Sequence, residues 1–151
     1  AAEKIYFDTI RKFGITRIST RRSKVQIVSA IKQGAAVYMV VDQHMPSHRG
    51  IVCKFFGQNS STSPAPVRFA RETGAPIIPC RSTILSRQGR NELHYQEEFV
   101  LETENIEPNN ILRHNTERLN EIMENYLKMN PGQWLWQHKR WKIHIYSTWS
   151  R

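Results

Sequence analysis

Apolar positions along the chain keep two different rhythms, and the switches between them mark the elements. Ile5, Tyr6, Ile10 and Phe13 recur at helical spacing ahead of Gly14 and predict a helix over residues 3–13. Residues 15–18 alternate as a short strand, and 21–33 return to a helical pattern that stops at Gly34, in the C-cap position. Residues 35–42, Ala-Ala-Val-Tyr-Met-Val-Val-Asp, keep neither rhythm. A continuous apolar run that ends in a carboxylate predicts a parallel strand buried on both faces, with Asp42 at its carboxyl end.

Further on, residues 51–56 predict a strand, and turn chemistry takes over across 57–63. Ser63 stands as an N-cap before Pro64, so a helix is predicted over 64–73, closed by Gly74. A strand then begins in residues 75–80 and extends to Leu85. A turn at 88–90 leads into an antiparallel partner over 93–101 with an acidic outer face. Asn109 and Asn110 cap a long helix that ends near Asn130-Pro131-Gly132. Its apolar stripe holds Leu112, Leu119, Ile122, Met123, Tyr126 and Leu127, while Arg113, Glu117, Arg118, Glu121 and Glu124 lie outside. Strands alternating with helices predict an α/β fold with a mixed, mainly parallel central sheet flanked by helices, in a single domain over 1–151.

Charge narrows the partners. The 151 residues carry 22 Lys and Arg against 13 Asp and Glu, a net charge of +9, with the excess concentrated in the first fifty residues. Residues 92–107 hold six Glu and no Lys or Arg, so the charge is segregated. Such a balance points to a polyanion: nucleic acid, an anionic membrane, a phosphorylated lipid or an acidic protein. Cys53 and Cys80 lack CxxC spacing and lie within apolar strand patterns, which speaks against a disulfide framework, a zinc module and a thiolate nucleophile. No apolar stretch is long enough to span a bilayer. The chain begins Ala-Ala-Glu-Lys and enters its first helical pattern directly, as a portion of a longer protein would.

In a sheet of the predicted kind, ligands gather beyond the carboxyl ends of the strands, at Asp42, Gln43 and the loops around His48 and Ser60. Exposed amides at the start of the Pro64 helix, with Ser60, Ser61, Thr62 and Arg68, suit an anion; a satisfied cap and a solvated Arg account for the same residues. Asp42 and His44 read either as a carboxylate orienting a general base or as two polar loop residues. Pro131-Gly-Gln-Trp-Leu-Trp-Gln-His-Lys-Arg-Trp-Lys142 holds three Trp and three bases in twelve residues. It fits an interfacial element with indoles at headgroup depth, and equally a final helix whose Trp rings close the core.

Taken together, Val40-Val-Asp-Gln43, Phe55-Phe-Gly57, Ser61-Thr62, Ala75-Pro-Ile-Ile-Pro79 and the Trp-rich segment resemble the bacterial lipid A biosynthesis acyltransferases. These are the lauroyl and myristoyl transferases of the lysophospholipid acyltransferase superfamily. The resemblance runs in order from about Ile5 to Lys142 and implies a lysophospholipid acyltransferase-like fold. It implies transfer of a fatty acyl chain from acyl carrier protein to a hydroxyl of an acylated, phosphorylated glucosamine disaccharide, at the cytoplasmic face of the inner membrane. No metal or redox cofactor is implied, and neither is nucleic acid.

The family's catalytic signature is His-x-x-x-x-Asp or Glu. Here the residues five beyond the histidines are Arg49, Cys53, Phe99, Leu119, Ile143 and Trp149, none of them acidic. The resemblance is therefore to the carboxyl-terminal portion of the enzyme, without the membrane anchor or the catalytic motif. It places Asp42, Gln43, Arg49, Gly57, Thr62 and Arg68 at the substrate, makes 75–79 a pocket wall, and sets Trp134, Trp136, Lys139, Arg140 and Trp141 at an anionic membrane surface. Two other readings stand beside it: a basic nucleic-acid-binding module, supported by charge and the aromatic-basic tail, and a non-catalytic lipid-binding domain.

Overall fold

The computed structural model describes residues 2–18, 23–85 and 89–142, with side chains from Phe7 onward. The predicted helix start at residues 21–22 and the turn residue Gln88 lie outside the described residues, as do residues 143–151. The chain divides into two compact units, Ala1–Tyr38 and Met39–Arg151.

In the first unit, α1 (Ala2–Arg11) and α2 (Ser23–Lys32) fall where the helical spacing predicts them. Each ends at a glycine with positive φ, 76° at Gly14 and 82° at Gly34. Ala35 N–H reaches back to Ala30 O at 3.0 Å, closing α2. Residues 15–18 form no strand.

The second unit is built on two antiparallel hairpins, β1 (Ile51–Phe55) with β2 (Gln58–Thr62), and β3 (Cys80–Ile84) with β4 (Asn91–Tyr95). The mainly parallel sheet is not formed among the described residues, and the physical reason lies in the connections. Parallel neighbours need a crossover, whereas Phe56-Gly57 joins β1 to β2 directly with φ of 49° and 72°, the two positive values that a tight primed turn requires. Residues 35–41, the expected buried parallel strand, have no ladder partner and leave Tyr38 and Val40 exposed.

Polar β2 is the strand that the sequence reading places in a turn. Gln58-Asn-Ser-Ser-Thr62 has little strand propensity, yet pairing with β1 and burial of its hydroxyls override that. The second hairpin continues past its named strands through an Ile77–Phe99 bridge, Phe99 N–H donating to Ile77 O at 2.8 Å.

Between the hairpins, α3 (Ala65–Thr73) starts one residue later than expected, with Pro64 at its N-cap and no side-chain cap bond. Gly74, φ 73°, ends it and donates to Ala70 O at 2.8 Å.

Helix α4 (Ile111–Met129) buries Ile111 and Leu127, and between them Asn115, Thr116 and Asn120. The apolar stripe predicted for it is only half-buried at Leu112, Leu119, Ile122 and Met123. The face pressed on β1 is polar because it supplies hydrogen bonds that a third strand would otherwise make. Lys54 N–H donates to Glu117 Oε1 at 3.0 Å and Phe56 N–H to Glu124 Oε1 at 2.6 Å, while Asn120 Nδ2 donates to Lys54 O at 2.8 Å. Positions 117, 120 and 124 share one helical face, so a helix side satisfies a sheet edge. Glu117 and Glu124, expected to face solvent, are thereby structural.

Candidate functional site

At the end of β2 the structure assembles a polar junction around Arg140, which is 0% exposed. Its Nη1 donates to Gln43 O at 3.0 Å and Ser61 O at 2.9 Å. Nη2 donates to Thr62 Oγ1 at 2.9 Å and Asn120 Oδ1 at 3.2 Å. Asn120 Nδ2 also approaches Thr62 Oγ1 at 3.2 Å and Cys53 Sγ at 3.3 Å, and Ser60 Oγ donates to Arg140 O at 3.3 Å. The cation lies 4.9 Å over the Phe55 ring, which Trp141 stacks at 5.5 Å.

A buried guanidinium costs several kcal/mol in lost hydration. Four charge-assisted bonds to neutral oxygens, each worth about 1.5–3 kcal/mol, offset that without a carboxylate in contact. Burial lowers the Arg140 pKa, and Cys53 and Asp42 nearby oppose the shift.

Around this centre the Trp-rich segment closes as a short 3-10 turn (Pro131–Gln133) and a loop rather than a final helix. Trp134 Nε1 donates to Asp42 Oδ2 at 3.0 Å and Trp141 Nε1 to Phe55 O at 3.1 Å. The segment after Gln43, residues 44–50, wraps onto β2 through Met45 N–H to Ser61 O at 3.1 Å. A side chain at Gly50 would run into Ser61 Oγ and come within 2.9 Å of Met45 Cβ, so the close approach requires glycine.

Asp42, Gln43 and Thr62 are thus brought together. Gln43 takes part through its carbonyl, and the Thr62 hydroxyl is enclosed and already shared between Asn120 and Arg140. Ser60 and Ser61 are buried with it, so the hydroxyl cluster serves the junction rather than the open end of α3.

The structure does not bring the other expected substrate residues to this point. Arg49 and Arg68 are exposed, and Gly57 sits at the opposite tip of its hairpin, roughly 16 Å from Thr62 along the strand. Of the residues expected at a membrane, Arg140 is enclosed and Trp134 and Trp141 are half-buried, while Trp136 and Lys139 stand open.

No hydrogen bond joins Asp42 to His44. Burial lowers the His44 pKa; the Arg140 backbone opposes this, and the Lys142 and Arg140 cations add to it. Asp42 Oδ1, His44 Nδ1, Ser61 Oγ and Arg140 Nε are buried without a partner among the described residues. Burial likewise raises the Cys53 thiol, which suits a packed side chain rather than a nucleophile. No group of three His, Cys, Asp or Glu among the described residues is arranged to hold a metal.

Asn120 is the residue the sequence reading missed; its signal was the run of Asn115, Thr116 and Asn120 inside an otherwise amphipathic helix. An open hollow of about 260 Å³ lies elsewhere, lined by Ile106, Asn110, Arg113, His114 and Glu117.

Comparison with known families decides what this scaffold belongs to: the bacterial lipid A biosynthesis acyltransferase family matches residues 10–143. The chain is a member of that family. No individual curated protein matches it.

Membership carries an acyltransferase role in lipid A biosynthesis, with an acyl donor and a lipid acceptor as the general substrates. The matched span includes both the Asp42–Gln43 segment and the Trp-rich motif, so the contact of Trp134 with Asp42 lies within it. No helix among its described residues is long and apolar enough to cross a membrane.

Proposed function

We propose that this chain is the carboxyl-terminal, substrate-holding portion of an enzyme that moves a fatty acyl group from acyl carrier protein to a hydroxyl of a phosphorylated lipid A precursor. The observation that carries the reading is the family match over residues 10–143. In the reaction, the acceptor hydroxyl attacks the thioester carbonyl, a base takes its proton and the carrier thiol leaves. None of the six histidines here is followed five residues on by an acid, so the proposal draws the base from outside this chain.

Its own contribution is positioning. Trp134 fixes one oxygen of Asp42 and leaves the buried Oδ1 without a partner, while Arg140 pins the neighbouring Gln43 carbonyl, so the two hold the segment from which the loop carrying exposed Arg49 extends. Exposed Arg49 and Arg68 are the cations that the proposal sets against the acceptor phosphates, and the chain's basic excess suits the acidic carrier. The action is proposed at the cytoplasmic face of the inner membrane.

Steady-state kinetics of the enzyme containing this chain test the reading, with acyl carrier protein thioester as donor and the phosphorylated disaccharide as acceptor. Arg49→Ala and Arg68→Ala are expected to raise acceptor KM with little change in kcat. Unchanged kinetics would remove both from the site, and absence of acyl transfer by the parent enzyme would sink the reading.

A further inference from the structure

We propose that β4 is the strand by which two copies of this chain pair, its open edge lying antiparallel to the same edge of the second copy across a two-fold axis at Leu93.

The phase of the hairpin ladder fixes which edge is open. Leu85 N–H donates to Arg90 O at 2.8 Å and Gln96 N–H to Pro79 O at 2.9 Å. Bonded and non-bonded pairs alternate along an antiparallel ladder, so Glu92 and His94 turn their backbone groups to β3, while Asn91, Leu93 and Tyr95 turn theirs away from it. On β3 the outward residues are Cys80, Ser82 and Ile84, and Ile84 is closed: its N–H donates to Gln133 Oε1 at 3.0 Å and its carbonyl accepts from Gln133 Nε2 at 3.2 Å. On β4 no group among the described residues bonds to the outward N–H and C=O, and every position but half-buried His94 is exposed. The strand carries no Pro, Lys or bulge, the devices that ordinarily keep an edge from pairing.

What selects a second copy as the occupant is the strand's own sequence. Asn-Glu-Leu-His-Tyr laid antiparallel on itself about Leu93 sets outward residues opposite outward residues: Leu93 meets its copy and Asn91 meets Tyr95, each pair exchanging N–H and C=O. In the pairs between, where side chains approach most closely, Glu92 meets His94 twice, and an imidazole donates to a carboxylate in either protonation state. Within one chain the two already share a face, with His94 Nε2 3.5 Å from Glu92 Oε2. Leu93 and Tyr95, 53% and 67% exposed, would lose water on the other face. A slip of one residue sets outward groups against inward ones, and a slip of two sets Glu92 against Glu92 or His94 against His94. The strand is therefore complementary to itself in one register.

A contact of five residues from each strand is small, so association is expected in the range of roughly 10–100 μM. Sedimentation velocity of the 151-residue chain over a concentration series tests this independently of acyl transfer. The parent is expected to pass from monomer to dimer over that range. Leu93→Lys and Leu93→Glu should each weaken association at least about tenfold, since like charges then meet on the axis. An equimolar mixture of the two variants should associate again, because Lys then faces Glu; only a two-fold at position 93 gives that rescue.

Leu93 is solvent-facing, so both variants in dilute solution should unfold at the parent temperature. A parent that stays monomeric well above the expected range would overturn the proposal, and the open edge would then belong to a strand of some other polypeptide segment. A dimer that both variants leave intact would overturn it too, as would variants that stay monomeric when mixed.

Discussion

Two hairpins with strands of the same length are built inside out with respect to each other. In β1–β2 the interior is polar: Ser60, Ser61 and Thr62 are enclosed beside Cys53 and Phe55. In β3–β4 the register puts Ser82 opposite Leu93, Cys80 opposite Tyr95 and Ile84 opposite Asn91, and the apolar members of that face look outward. Its other face carries Arg81, whose guanidinium lies 5.3 Å over the Tyr126 ring of α4. Polarity alone therefore does not decide which side is buried; the supply of hydrogen-bond partners does. β2 can bury hydroxyls because Arg140 and Asn120 reach them, whereas among the described residues no buried side chain reaches the apolar face of β3–β4 in the same way.

The most forceful way to break this comparison is Arg140→Met, which keeps bulk and removes every donor. Gln43 O, Ser61 O, Thr62 Oγ1 and Asn120 Oδ1 would lose their partner together, at a cost of about 3–5 kcal/mol. In thermal unfolding that is a drop of roughly 10 °C or more. A loss under about 1 kcal/mol would mean that the junction is not held by Arg140.

Asn120→Asp sharpens the point, since it sets a carboxylate against the guanidinium but deletes the donor to Lys54 O and Thr62. If satisfied acceptors matter more than charge pairing, denaturant unfolding should show a net loss of about 1–2 kcal/mol. A stabilised variant would show that the buried charge, not the neutral oxygens, governs the site. Leu93→Thr on the outward face is expected to change stability by less than about 0.5 kcal/mol, because little burial is lost. A large loss there would erase the contrast between the hairpins.

Why one half of this was legible in the sequence and the other was not follows from the same contrast. Helices α1, α2, α3 and α4 announce themselves through apolar spacing and terminal Gly, Pro and Asn, all local signals. The antiparallel pairing of β3 with β4 was likewise readable from the turn between them. β2 was not, because Gln58 to Thr62 becomes a strand only when Arg140, some eighty residues away, supplies the missing partner. Residues 35–42 failed in the opposite direction: an apolar run states a preference for burial, but a strand needs a neighbour, and none is present among the described residues.

Asp42 drew attention by its place after that run; its fixing by Trp134 was not legible, since nothing local links positions 42 and 134. Arg140 looked like a membrane-facing cation because a basic residue among tryptophans suits both a headgroup and a buried oxygen cage, and only long-range contacts choose between them.

An exposed polar cluster completes the comparison and gives its smallest expected effect. Glu102 meets His114 Nε2 at 2.6 Å and Arg118 Nη2 at 3.1 Å on the surface, where the segment after β4 lies on α4. The hydrogen bond from His114 is the main reason the Glu102 pKa is lowered; desolvation opposes it, and the charges of Arg118 and His114 add to the lowering. A depressed carboxylate contributes stability that is full above its unfolded pKa and disappears as pH falls through the folded one. The gap in unfolding midpoint between parent and Glu102→Gln should therefore close progressively as pH falls through the acid range. At about 1 M salt it should shrink as well, because solvent screens exposed pairs. The Arg140 junction, enclosed and bonded to neutral oxygens, should keep its contribution under both treatments. Parallel pH profiles for parent and Glu102→Gln would show that the surface cluster holds nothing, and a salt-sensitive Arg140→Met difference would show that the buried one is open to water.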